Sequence, residues 1–138
     1  MSHFDLTDAE FEQQIVHCNL DPDMFTHEAH LRLAYMHIKK FGVRLAQNNI
    51  QNLLLNFVQY VGAKDKYNKT LTIAAIKVVH HFMLKAKSNN FNDFLIELPQ
   101  LKERFKELIK EHYSFDIFDS RQAKLAYLEP DLLPFDSY

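Results

Sequence analysis

Apolar residues recur every three to four positions along most of the chain, and five stretches hold that period long enough to predict helices. The first spans about Asp8 to Asn19, with Phe11, Ile15 and Cys18 along one face. Thr7 and Glu10 have the spacing of a capping box ahead of it, and Leu6 with Phe11 suits a hydrophobic staple. Cys18 then reads as a small core residue before it reads as a reactive thiol. The second helix is expected from Thr26, a good N-cap, to Gly42, which suits the C′ position. A third is predicted from Val43 to Val61, with Ile50, Leu53, Leu54, Phe57 and Val61 at core spacing and Gly62 closing it.

The fourth stretch runs from about Thr70 to Lys87 and is apolar at Leu71, Ala75, Val78, Val79 and Phe82. A short helical turn, "DFLIEL", leads to Pro99, a plausible first-turn proline. The fifth helix covers about Gln100 to Tyr113. The remaining tail carries apolar residues at Phe115, Ile117, Phe118, Tyr127, Leu132, Leu133 and Phe135, which predicts that it packs across the helices. Short connections favour antiparallel neighbours. The expected fold is all-α: a single domain over residues 1–138, a compact bundle of about five helices with an irregular C-terminal tail packed on it.

Composition narrows the picture further. The 138 residues include only two glycines, against eight histidines and twelve phenylalanines. So few glycines argue against Gly-rich phosphate loops and turn-rich β architectures. A net charge of −2, with lysines interspersed among acids, leaves no footprint for nucleic acid. No apolar run approaches the roughly 20 residues that span a bilayer. One cysteine forbids an internal disulfide, and the acidic start lacks the pattern of a signal peptide, so a cytoplasmic home is expected.

The histidines carry the candidate chemistry. A helix turns about 100° per residue. On the second helix the stripe is Leu31, Ala34, Ile38 and Phe41, and His27 and His30 fall in line with it, while Arg32 and Lys39 point toward solvent. On the fifth, Leu101, Phe105 and Leu108 lead to His112. Three imidazoles on two helices are thus expected to face inward. His81 shares a face with Lys77 and Lys85, His80 lies at a boundary, His37 is on a flank, and His3 and His17 fit no pattern. Imidazole is a common ligand for zinc, iron, copper and nickel, and helical bundles build metal sites from facing helices. A helix N-terminus also disfavours imidazolium, which keeps ligand nitrogens available. Glu28 points off the stripe and reads as a lesser ligand candidate, a group supporting the ligands or a partner of the helix dipole. Against all this, a lone HxxH is a weak motif, and inward histidines often serve as hydrogen-bonded core residues.

Two further segments bear on a site. "KYNKTLT" opens the fourth helix, where Thr72 lies at the edge of the apolar face and Tyr67 offers a phenol. The plainer reading makes Asn68 or Lys69 a cap and has Thr72 bond its own backbone. "LEPDLLP" brings Glu129 and Asp131 either over the helices or onto a turn between prolines.

The blocks "FTHEAHLRLA", "KYNKTLT", "EHYS" and "LEPDLLP", in this order from Phe25 to Pro134, resemble the signature blocks of a family of small bacterial proteins with no established reaction. The first block reads F-T-H-x-x-H-L-R in that family and matches Phe25, Thr26, His27, His30, Leu31 and Arg32. The second reads K/R-Y-H-x-T-x-T, so Tyr67, Thr70 and Thr72 match while Asn68 replaces a histidine. His112, Tyr113 and Ser114 match the third. The resemblance implies a site shared by several helices, and an amide at Asn68 is a poor ligand for a borderline-soft metal.

The leading expectation is a metal-binding enzyme acting on a small molecule, a metal-dependent hydrolase, lyase or oxygenase. His27, His30 and His112 would hold a divalent transition metal, and Tyr67, Thr72 and Arg32 would orient substrate. The alternative is a non-catalytic module that binds a small ligand or a protein, with histidines as hydrogen-bonding groups. Its Phe-rich tail also suits a homo-oligomer.

Overall fold

The computed structural model describes residues 2–135 and is all-α, with no strand among the described residues. Residue 1 and the last three residues of the expected tail, 136–138, lie outside them. No helix among the described residues is long and apolar enough to cross a membrane. The chain divides into two compact units, Met1–Tyr67 and Asn68–Tyr138.

The first unit holds α1 (Asp8–Val16), α2 (His27–Phe41) and α3 (Val43–Tyr60). α1 starts as the sequence predicts: the Thr7 hydroxyl accepts from the Glu10 N–H at 3.1 Å, and Glu10 Oε1 accepts from the Thr7 N–H at 2.9 Å. It ends earlier than the apolar period suggests. Cys18 adopts a left-handed φ of 56°, and the Asn19 and Cys18 amides bond back to Gln14 and Ile15. That closure is a Schellman motif, and α3 ends in the same one, with Gly62 where α1 has Cys18. Cys18 is therefore a half-buried helix stop instead of a member of the helical stripe.

α2 and α3 pack together, joined only by Gly42, and α1 lies on α3. Phe11, Ile15, Leu31, Leu33, Ala34, Ile38, Ala46, Ile50, Leu54 and Phe57 are buried. Each large side chain removed from water in this way contributes about 1.5–3 kcal/mol. Val61, expected on the core face, is exposed beyond the end of α3.

The second unit is organised around α4 (Lys69–Lys85), which has almost no solvent face before its last two residues. Thr70, Ile73, Ala74, Ile76, Val78, Val79, His81 and Phe82 are all buried along it. A helix apolar nearly all round belongs in an interior. The segment expected as one turn at "DFLIEL" is a full helix, α5 (Phe91–Glu97), capped by the Asn90 side chain. The predicted fifth helix is broken: α6 (Gln100–Glu103) and α7 (Phe105–Lys110) are separated at Arg104, whose φ of −130° and ψ of 31° leave the helical region. The break turns the second half of the stripe, so Leu101 and Ile109 are buried while Phe105 and Leu108 are only half-buried. The tail is less irregular than expected, since α8 (Arg121–Leu125) packs on α4.

Candidate functional site

In the first unit the two metal candidates on α2 do not face inward. His27 and His30 are both exposed, although Leu31, Ala34 and Ile38 on the same stripe are buried. The middle of the stripe is buried as expected, but both of its ends, the first turn of α2 and Phe41, reach the surface. Thr26 caps this turn, its hydroxyl accepting from the Ala29 N–H at 3.2 Å. Its carbonyl accepts from the His30 amide and, at 2.8 Å, from the His30 ring through Nδ1–H. That bond fixes one tautomer and leaves the lone pair on Nε2. The ring also stacks on Phe25, with centroids 3.9 Å apart and planes 8° from parallel.

Desolvation lowers the His30 pKa from its ordinary value; the Thr26 carbonyl opposes this, and the charge of nearby His27 adds to it. The lowering favours the neutral imidazole, the form a metal requires.

Arg32 is corrected in the other direction. Expected on a solvent face, it is 5% exposed. Its guanidinium donates to the carbonyls of His3 and Leu6 at 2.6 and 2.9 Å and to Asp8 Oδ1 at 2.8 Å, and it lies 4.6 Å from the Phe11 ring centroid. Its donors hold the N-terminal segment, so it is not arranged to grip a substrate anion. His3, which fitted no sequence pattern, is buried beside it. Its Nδ1 accepts from Arg32 Nη1 at 3.2 Å, so its Nε2–H donates to Glu28 at 2.9 Å. Glu28 thus supports the N-terminal segment. The signal for His3 was the Ser2–Asp5 capping box, which starts a 3-10 turn and carries no apolar period. His37 is likewise buried, with Nε2 2.6 Å from Glu12.

In the second unit the motif residues converge on the tail. His112 is fully buried just past the end of α7. Its Nδ1–H donates to the Leu133 carbonyl at 2.7 Å, and its own carbonyl accepts from the Leu132 amide at 3.0 Å. Tyr113 donates to the Leu128 carbonyl at 2.7 Å; burial first, then the Tyr127 phenol, raise its pKa. The Ser114 amide and hydroxyl both donate to Asp131. Thr70 donates to the Ala126 carbonyl at 2.8 Å and accepts from the Leu128 amide at 3.1 Å.

Asn68 caps α4 by accepting from the Leu71 N–H at 2.9 Å, and donates to the Ile117 carbonyl at 2.7 Å. Thr72 donates to the Asn68 carbonyl one turn back, as the plainer sequence reading has it. Tyr67 is half-buried after a 3-10 turn, Lys64–Lys66, at the end of the first unit. His81, expected on a solvent face, is buried in α4.

Among the described residues no group of three or more His, Cys, Asp or Glu side chains is placed to hold a metal ion. Compared with known proteins, the chain matches no family model, no curated protein and no solved structure.

Proposed function

We propose that the first turn of α2 is the working surface of this protein and binds a divalent transition metal through His27 and His30. The remaining coordination positions are left to water and to a small-molecule ligand or substrate. The observation that carries this reading is the His30 ring: exposed, held in one tautomer by the Thr26 carbonyl, and bearing its lone pair on Nε2. Ligand histidines in metal sites have this arrangement, with the second ring nitrogen donating to a carbonyl. His27, three residues earlier in α2, lies on the same side of the helix, where side chains at i and i+3 are neighbours. An ion held by two imidazoles has open positions, which suits Lewis-acid activation of water or of a bound carbonyl. Arg32 and Thr72 are left out of this site because their donors already serve the backbone.

Equilibrium dialysis of untagged protein against Zn(II) or Ni(II) tests the proposal. About one equivalent is expected for the wild type, with loss in both His27→Ala and His30→Ala while helical content is kept. Equal uptake by wild type and variants would sink it.

The lack of a third clustered donor among the described residues favours one second reading, a metal-free ligand-binding module. There the same two imidazoles act as hydrogen-bonding groups. A small molecule that binds equally well with and without a strong chelator selects this reading over the first.

A further inference from the structure

Resting on the reading of His27 and His30 as a metal pair, we infer that Phe25 is a positioning residue. Its ring sets the plane of the His30 imidazole while the Thr26 carbonyl sets its tautomer, and together they aim the Nε2 lone pair in one direction. An exposed histidine in a first helical turn is otherwise unconstrained. Such a side chain samples several χ1 and χ2 states, and free imidazole places its proton mostly on Nε2, the nitrogen a metal would need. At His30 both freedoms are removed. The 2.8 Å bond to Thr26 puts the proton on Nδ1. The Phe25 ring, 3.9 Å away and 8° from parallel, fixes rotation about the second torsion.

Phe25 is itself anchored. It is half-buried and meets Phe57 of α3 edge-on at 5.1 Å and 88°, and Phe57 is a core residue. The chain of rings His30, Phe25, Phe57 therefore connects a surface ligand atom to the interior of the first unit. Ordering a ligand before binding removes an entropic cost that binding would otherwise bear. A fixed imidazole nitrogen selects borderline metals such as Ni(II), Cu(II) and Zn(II) over Mg(II) and Ca(II), which take oxygen. The residue that precedes the Thr26 cap is thus the support of a ligand.

The test uses the full untagged chain and two readouts. Long-range proton–nitrogen NMR of metal-free protein reports the His30 tautomer, and the ring-current shift of its carbon-bound protons reports the stack. Calorimetry with Ni(II) reports affinity, with Mg(II) as control. The wild type is expected to show the Nδ1–H tautomer, a clear upfield shift and no Mg(II) binding. Phe25→Leu is expected to lose the shift and weaken Ni(II) binding by about tenfold, the lower range for removing a group that orients a ligand. Phe25→Tyr restores both.

An Nε2–H tautomer, an absent shift in the wild type, or unchanged Ni(II) affinity in a folded Phe25→Leu variant overturns the inference. Should Phe25→Leu unfold, the wild-type spectra and Phe25→Tyr decide the matter. If the wild type takes up no Ni(II), the metal reading fails on its own, and the two NMR signatures alone decide whether Phe25 orients His30.

Discussion

Arg32 Nη1 donates to the backbone carbonyl of His3 at 2.6 Å, tying the start of the chain to the second turn of α2. The other guanidinium bonds go to the His3 ring, Leu6 and Asp8, and the cation lies over Phe11. Hydrogen bonds from a charged donor are worth about 1.5–3 kcal/mol each, and removal leaves the two carbonyls to find new partners. Arg32→Ala is expected to destabilise the protein by about 3 kcal/mol, allowing for partial replacement by water. Asp8 is largely exposed, so Asp8→Asn should cost less than about 1 kcal/mol. Urea unfolding of the two variants checks the contrast. Equal losses would mean that the ion pair, and not the carbonyl clasp, is what Arg32 contributes.

Gly42 serves at once as the end of α2 and the start of α3, with φ 85° and ψ 163°. That region is open essentially to glycine alone, and a side chain there costs about 1–3 kcal/mol. Nothing lies within 4 Å of the added carbon, so Gly42→Ala measures backbone strain with no clash. The expected result is a fall of about 2 kcal/mol in unfolding free energy with an unchanged denaturant slope. A neutral effect would show that the two helices can be joined with another backbone conformation.

Thr70 is fully buried and makes two bonds to the tail, giving one proton to Ala126 and taking one from Leu128. Valine has nearly the same shape and neither bond. Thr70→Val leaves a carbonyl and an amide to be satisfied elsewhere, at about 1–3 kcal/mol each. Hydrogen exchange should locate the damage: the Leu128 amide is expected to exchange much faster, while amides in the middle of α4 change only by the global loss. Uniform acceleration across the second unit would contradict a local clasp.

The legible part of this fold was its period. Helices α2, α3 and α4 stand within two residues of their predicted ends because Thr26, Gly42, Gly62 and Asn68 punctuate long apolar stripes. The period said nothing about where a stripe stops being covered. His27 and His30 lie on the predicted stripe, yet at an uncovered end, and Phe41 at the other end is exposed as well. Arg32 lies off the stripe but is buried by the N-terminal turn, a contact set by residues about 24 to 29 positions away. The break at Arg104 has no proline or glycine to announce it, and it moved burial from Phe105 and Leu108 to Ile109. His112 is therefore buried for a reason other than helical spacing: it is enclosed by the tail it holds.

Asp131 supplies a test of that tail by acid. The Ser114 side chain and amide donate to its carboxylate and lower its pKa below the ordinary 3.8. An acid held more weakly by protons when folded stabilises the fold wherever it is ionised in both states. The contribution is therefore complete above about pH 3.8, and it is lost as pH falls through the lowered folded value. Glu97, whose carboxylate accepts from the Lys87 and Ser88 amides, is lowered in the same sense and acts in the same direction. Urea midpoints followed from about pH 6 down to about pH 2 should decline in the wild type. In Asp131→Asn the decline should be shallower, because the amide does not titrate, and shallower again with Glu97→Gln added. Ser114→Ala should bring the Asp131 carboxyl back toward its ordinary value, visible by carbon NMR as a higher titration midpoint. An unshifted midpoint in that variant would show that the Ser114 hydroxyl does not hold the tail through this carboxylate.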